Sequence, residues 1–130
     1  MCGIVGYTGF QDAYNVVING LRRWEYRGYD SAGIVLDKDQ GNFTVAKTKG
    51  KVEDLENISK DLKGTAHVGM GHTRWATHGV PSDRNSHPHV SNNNKNLSSF
   101  YPSSIPKYFH QLPKYFFFLL QEQIAFFLSN

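Results

Sequence analysis

At 130 residues and 14.7 kDa the sequence has room for one small domain and excludes, within these residues, a large multidomain enzyme. Its net charge of +3 comes from 14 Lys and Arg against 11 Asp and Glu scattered along the chain, which excludes a dedicated nucleic-acid surface. The 39% hydrophobic composition averages two unlike parts, since residues 1–95 hold all 12 glycines while residues 96–130 hold none and carry most of the 9 phenylalanines.

In chain order, Gly3-Ile4-Val5-Gly6-Tyr7 reads as a short buried strand bounded by glycines. Ala13, Val16, Val17, Gly20 and Leu21 then recur at helical intervals, predicting an amphipathic helix over 13–23. A polar turn at Arg27-Gly28-Tyr29-Asp30 precedes a strand over 32–36, and 43–46 is its hairpin partner across the turn residues Asp39-Gln40-Gly41-Asn42. Val52, Leu55, Ile58 and Leu62 predict a weaker helix ending at Gly64, after which 67–73 is extended again. Residues 79–96 are polar, with Pro81, Pro88 and Asn92-Asn93-Asn94, and are expected to form a loop. Arg22-Arg23 and the alternating Lys47, Lys49 and Lys51 read as solvated faces.

One cysteine forms no intrachain disulfide, and the N-terminus lacks the basic stretch and apolar core of a signal peptide, so a cytoplasmic location is expected. The apolar run over 115–128 is interrupted by Gln121-Glu122-Gln123 and is shorter than the ~20 residues a membrane helix needs, so no membrane span is expected.

Two places carry chemistry. Removal of Met1 would make Cys2 the N-terminus, where an α-amine titrating near ~8 serves as a local base for the thiol of the same residue. The run Gly71-His72-Thr73-Arg74-Trp75-Ala76-Thr77-His78-Gly79 crowds a planar guanidinium, a hydroxyl, an imidazole and an apolar wall at a strand end. Such a set suits a small zwitterionic ligand, and equally suits a salt-bridged Arg74 and a core Trp75. His67, His72, His78, His87 and His89 lie close in sequence, but there is no HExxH and no second cysteine, so no metal is expected. Gly3, Gly6 and Gly9 lack the GxGxxG spacing, and no nucleotide or other cofactor is expected.

Three ordered motifs resemble the class II glutamine amidotransferase (glutaminase) domain of glucosamine-6-phosphate synthases: Met1 to Tyr7, Glu25 to Ile34, and Gly71 to Gly79 followed by Asn85-Ser86-His87-Pro88-His89. The resemblance covers residues 1 to about 91. It implies an α+β fold of the N-terminal nucleophile hydrolase type, an αββα sandwich of which only the first half is represented here. It also implies glutamine amide hydrolysis, glutamine to glutamate plus ammonia, serving amino-sugar synthesis from fructose 6-phosphate. Carried over by residue, Cys2 matches the nucleophile and Arg74 the group that grips the α-carboxylate of glutamine. Thr77 and His78 match residues lining the glutamine pocket, Trp75 lies in the gating loop, and Arg27, Gly28, Tyr29 and Asp30 match the segment close to the nucleophile.

Similarity stops near Lys95. The Asn-Gly pair that the family uses for its oxyanion hole, and a later aspartate for the substrate ammonium, have no counterpart in residues 96–130, and the isomerase domains are absent from this sequence. The expected organisation is a partial amidotransferase domain over 1–95 and an aberrant or non-homologous aromatic-rich tail over 96–130. A chain of this kind is expected to be inactive by itself; the alternatives are a non-catalytic glutamine-binding or assembly module and an unstable fragment.

Overall fold

A computed structural model describes residues 2–38, 43–76 and 80–90, together with the backbone of three short strands further along the chain. The turn residues 39–42 lie outside the described residues. The chain opens with β1 (Gly3–Thr8) and continues into α1 (Ala13–Trp24) and a 3-10 turn (Glu25–Arg27). It goes on through β2 (Ser31–Asp37), β3 (Phe43–Lys49), α2 (Val52–Ser59), a second 3-10 turn (Lys60–Leu62) and β4 (Val68–Arg74). The order is the predicted strand, helix, two strands, helix, strand. The β2–β3 hairpin is longer than expected because Lys47, Thr48 and Lys49 complete the ladder down to Ser31.

β3, β2, β4 and β1 lie side by side in one antiparallel sheet. Residues alternate between its faces. The face carrying Val5, Tyr7, Ala32, Ile34 and Leu36 is covered by the two helices, and these side chains join Ala13, Tyr14, Val17, Ile18, Leu21, Val52, Leu55 and Ala66 in one core.

α1 forms because its apolar residues fall on one stripe, and it starts where the Asp12 carboxylate accepts from the Tyr14 amide at 3.2 Å. Arg22 and Arg23 in its last turn complement the negative end of the helix dipole. The helix approaches the sheet closely because Gly71 has no side chain: a Cβ there would lie 2.6 Å from Val17 Cγ1 and 2.7 Å from Leu21 Cδ1. α2 begins where Asp54 accepts from the Lys51 amide at 2.9 Å and Glu25, from the turn after α1, accepts from the Val52 amide at 2.8 Å. The buried Tyr14 hydroxyl and Ser59 Oγ lie 3.1 Å apart and join the two helices.

The loop over 80–90 is more ordered than its polar composition suggests. Ser86 and Pro88 are fully buried, and His89 and Val90 form β5 (His89–Val90), paired with β6 (Leu97–Ser98). The loop lies on the sheet face opposite the helices. Asp83 accepts from the Lys49 amide at 2.7 Å, Lys47 Nζ donates to the Ser86 carbonyl at 3.1 Å, and the His87 carbonyl rests against Gly33, where no Cβ could stand. The buried Ser86 is accommodated because its carbonyl accepts from Lys47 Nζ and its hydroxyl donates to the Ser82 carbonyl at 2.8 Å.

In the aromatic-rich tail, β7 (Leu119–Leu120) and β8 (Gln123–Leu128) extend the sheet, with β8 parallel to β1 in the register Val5 to Phe126. Without β8 that edge of β1 would present unpaired backbone groups, and an aromatic-rich apolar run has the propensity to pair with them. No helix among the described residues is long and apolar enough to cross a membrane.

Candidate functional site

The site residues meet at the end of the sheet where β1 begins and β4 ends. β1 and β4 pair Gly3 with Thr73, so continuing that ladder by one residue sets Cys2 opposite Arg74. β2 and β4 pair Ser31 with Arg74, and β2 and β3 pair Ser31 with Lys49. Arg74, Ser31 and Lys49 therefore form one row across the sheet, on the face away from the helices, and the continued β1 ladder adds Cys2 at its end. Cys2 is half-buried and carries a free thiol. Arg74 is half-buried, with Nη1 out of contact with solvent.

The turn between α1 and β2 wraps the start of β1. Trp24 packs beside Gly3, and the Arg27 guanidinium stacks over the Trp24 ring at 4.5 Å while its Nε donates to the Tyr26 hydroxyl at 3.1 Å. Gly28 is buried against the backbone at the end of β4: a Cβ there would lie 2.8 Å from the Arg74 carbonyl carbon and 2.9 Å from the Trp75 nitrogen. Tyr29 meets Trp75 edge to face, with ring centroids 5.4 Å apart. The Asp30 amide donates to the Arg74 carbonyl at 3.2 Å, and its carboxylate accepts from the Ala76 amide at 2.8 Å. Gly28, Tyr29 and Asp30 are thus brought to Arg74, Trp75 and Ala76, and Arg27 to Trp24, which itself packs beside Gly3. Thr77 and His78, expected in the pocket, lie outside the described residues.

Other polar residues share this sheet face, among them Ser31, which the sequence did not single out, and three of the histidines weighed above for a metal. Ser31 is fully buried, and its Oγ has no hydrogen-bond partner among the described residues. His72, His87 and His89 form a chain of edge-to-face rings, with centroids 4.6 and 4.7 Å apart. Burial, followed by the charges of His87, Lys47 and Arg74, holds the His89 imidazole below its ordinary range. Burial lowers Lys47 as well, against a smaller opposing effect of Asp83. Period-two alternation links Lys47 with Lys49 and His72 with Arg74, so their common face was available from sequence. The docking of His87 and His89 on that face was not, because it depends on how the loop folds back. Among the described residues no group of three or more His, Cys, Asp or Glu is arranged to hold a metal ion.

No protein-family description matches the chain. Curated relatives do. The glutamine-fructose-6-phosphate aminotransferase (isomerizing) of Bacteroides thetaiotaomicron is 58% identical over 97 residues, covering 73% of this chain. The enzymes of the same name from Symbiobacterium thermophilum and Staphylococcus aureus are 56% identical over 90 residues and 52% identical over 95 residues. Over that stretch the chain is a homologue of these aminotransferases. It spans 16% of the length of the Bacteroides relative.

Among solved structures, the glutamine phosphoribosylpyrophosphate amidotransferase of B. subtilis, complexed with ADP and GMP, matches with a TM-score of 0.53 and 27% identity, over 72% of this chain and 19% of that one. The fold is therefore that of the N-terminal nucleophile amidotransferases. Over the stretch shared with these relatives, β3, β2, β4 and β1 supply an antiparallel sheet and α1 and α2 the helical layer on one of its faces.

Proposed function

We propose that residues 1–95 form the nucleophile-bearing part of a glutamine amide-hydrolysing domain, with Arg74 holding the substrate α-carboxylate and Cys2 attacking the side-chain amide. The observation that carries this reading is the β1–β4 register, whose last pair, Gly3 with Thr73, sets Cys2 opposite Arg74 when continued by one residue. Neighbouring positions on one sheet face let a thiol and a guanidinium act on the two ends of one small ligand, as glutamine requires with its α-carboxylate at one end and its side-chain amide at the other.

With Met1 removed, the Cys2 α-amine takes the thiol proton and the thiolate adds to the amide carbon. The tetrahedral adduct collapses as the C–N bond breaks, the amine returns a proton to the leaving nitrogen, and ammonia departs, leaving a γ-glutamyl thioester. Water then adds to the thioester and releases glutamate and the free thiol. Arg74 offers the planar fork suited to the carboxylate. Trp75, braced by Tyr29, supplies an apolar wall beside it. The names of the relatives support fructose 6-phosphate as the acceptor of the ammonia in a complete enzyme. The single cysteine supports a cytoplasmic setting.

The tail over 96–130 we take as non-homologous, in keeping with a match to relatives that covers 73% of the chain. It holds no Asn-Gly pair to stabilise the oxyanion. Loss of one such donor slows turnover by about 10²- to 10³-fold, so the chain by itself recognises glutamine and hydrolyses it slowly at most.

Two measurements test this. Glutamine should shift the NMR signals of Cys2 and of residues 74–76, and Arg74→Ala should abolish the response; a wild-type chain blind to glutamine refutes the reading. Ammonia release should run at least about 10²-fold below that of an intact homologue, and an equal rate would refute the assignment of the tail.

A further inference from the structure

Arg74 is the last residue of β4, and the segment that follows leaves the sheet with no ladder partner to fix its direction. Three features of the turn before β2 converge on that segment. Gly28 lets its backbone pass against the Arg74–Trp75 peptide, and Tyr29 braces the Trp75 ring. Asp30 does more than either. Its amide donates to the Arg74 carbonyl, its own carbonyl accepts from the Gly50 amide at 3.0 Å, and its carboxylate reaches two residues past the strand end to the Ala76 amide. One residue therefore ties together the start of β2, the end of β3 and the exit from β4.

We propose that Asp30 is a positioning residue for glutamine recognition, its carboxylate holding the 74–76 backbone so that the Arg74 guanidinium and the Trp75 ring are set before substrate arrives. The proposal rests on the glutamine reading above. Two of the three bonds are made by the Asp30 backbone and survive any substitution, so replacing the side chain removes the Ala76 contact alone. Aspartate suits the place because its oxygen stands one methylene from the backbone; glutamate would carry it past the Ala76 amide. The role needs an acceptor oxygen and no proton transfer, which separates it from general-base work on the Cys2 thiol.

The test compares Asp30→Ala, Asp30→Glu and Asp30→Asn in the full chain. It reads amide hydrogen exchange at Ala76, the glutamine dissociation constant from NMR titration, and the urea midpoint. Asp30→Ala should accelerate Ala76 exchange at least about 10-fold and weaken glutamine binding about 10-fold. Asp30→Glu should follow it, and serves if the alanine variant fails to fold. Asp30→Asn keeps an acceptor oxygen at the same distance and should restore both to within about 2-fold of wild type.

Leu21→Ala, a core variant remote from the ligand, should lower the urea midpoint and leave the affinity of the folded chain unchanged. Wild-type exchange and affinity in Asp30→Ala would overturn the proposal. So would an Asp30→Asn variant as impaired as Asp30→Ala, which would point to charge or proton transfer. A wild-type chain with no response to glutamine overturns the glutamine reading, and Ala76 exchange then still decides whether Asp30 fixes the segment.

Discussion

Gly28→Ala tests the site at its tightest backbone contact. The φ of Gly28 is −169°, an extended conformation open to any residue, so an alanine meets no dihedral strain and the cost is steric alone. Its Cβ would stand 2.8 Å from the Arg74 carbonyl carbon, 2.9 Å from the Trp75 nitrogen and 3.1 Å from the Arg74 carbonyl oxygen. All three are main-chain atoms, so no rotamer change relieves the contact and one segment must move.

Overpacking of this kind costs about 1–3 kcal/mol. The movement also lengthens the Asp30 bonds to Arg74 and Ala76, each worth about 0.5–1.5 kcal/mol. The expected loss is about 2–6 kcal/mol, read from urea unfolding followed by tryptophan fluorescence. Trp75 is close enough to the contact for its native-state emission to change as well. Gly64→Ala is the control, because Gly64 has φ of +72° and a Cβ there would meet nothing within 4 Å, so it should cost only the ~1 kcal/mol of a left-handed alanine. A Gly28→Ala chain that unfolds at the wild-type midpoint with unchanged emission would refute the close packing of residues 28–30 on residues 74–76.

Leu21, buried against Gly71 and the rest of the core, should lose about 2–5 kcal/mol on substitution by alanine, whereas Phe10→Ser, at a side chain 86% exposed, should stay within about 0.5 kcal/mol of wild type in the same urea titration. The His89 imidazole is held below its unfolded value, so between the two pKa values the unfolded chain binds more protons and stability falls as pH drops below ~6.5; urea midpoints at pH 5 and 7.5 should show the decrease, and His89→Gln should reduce it. Lys47 is lowered in the same sense, so stability should rise with pH on approach to ~10.4, and Lys47→Met should flatten that rise; a slope of opposite sign would refute the burial of the ammonium.

The secondary structure was legible because its signals are local. The α1 stripe from Ala13 to Leu21 and the glycine-bounded β1 each lie within a dozen residues, and each appears where the spacing puts it. β3 ran on beyond Ala46 because lysines and threonines continue a strand whenever a neighbour supplies the ladder, which polarity alone does not reveal.

The candidate site was legible in part. The Gly71 to Gly79 run and Cys2 stood out by residue type, and Arg27 to Asp30 entered through a family resemblance. That Asp30 holds the Ala76 amide while Gly28 admits the Arg74 backbone follows only from strand order, which brings residue 30 beside residue 74 across more than forty residues of chain. Glu25 as the cap of α2, Ser31 in the row beside Arg74, and the stacked His72, His87 and His89 share that origin.

The sequence by itself determined the elements, the face each presents to the core and the identity of the reactive groups, since these depend on residue type and spacing. The tertiary structure decided which of those groups meet, because β4 lies between β1 and β2 and long-range pairing chooses neighbours that no local pattern encodes.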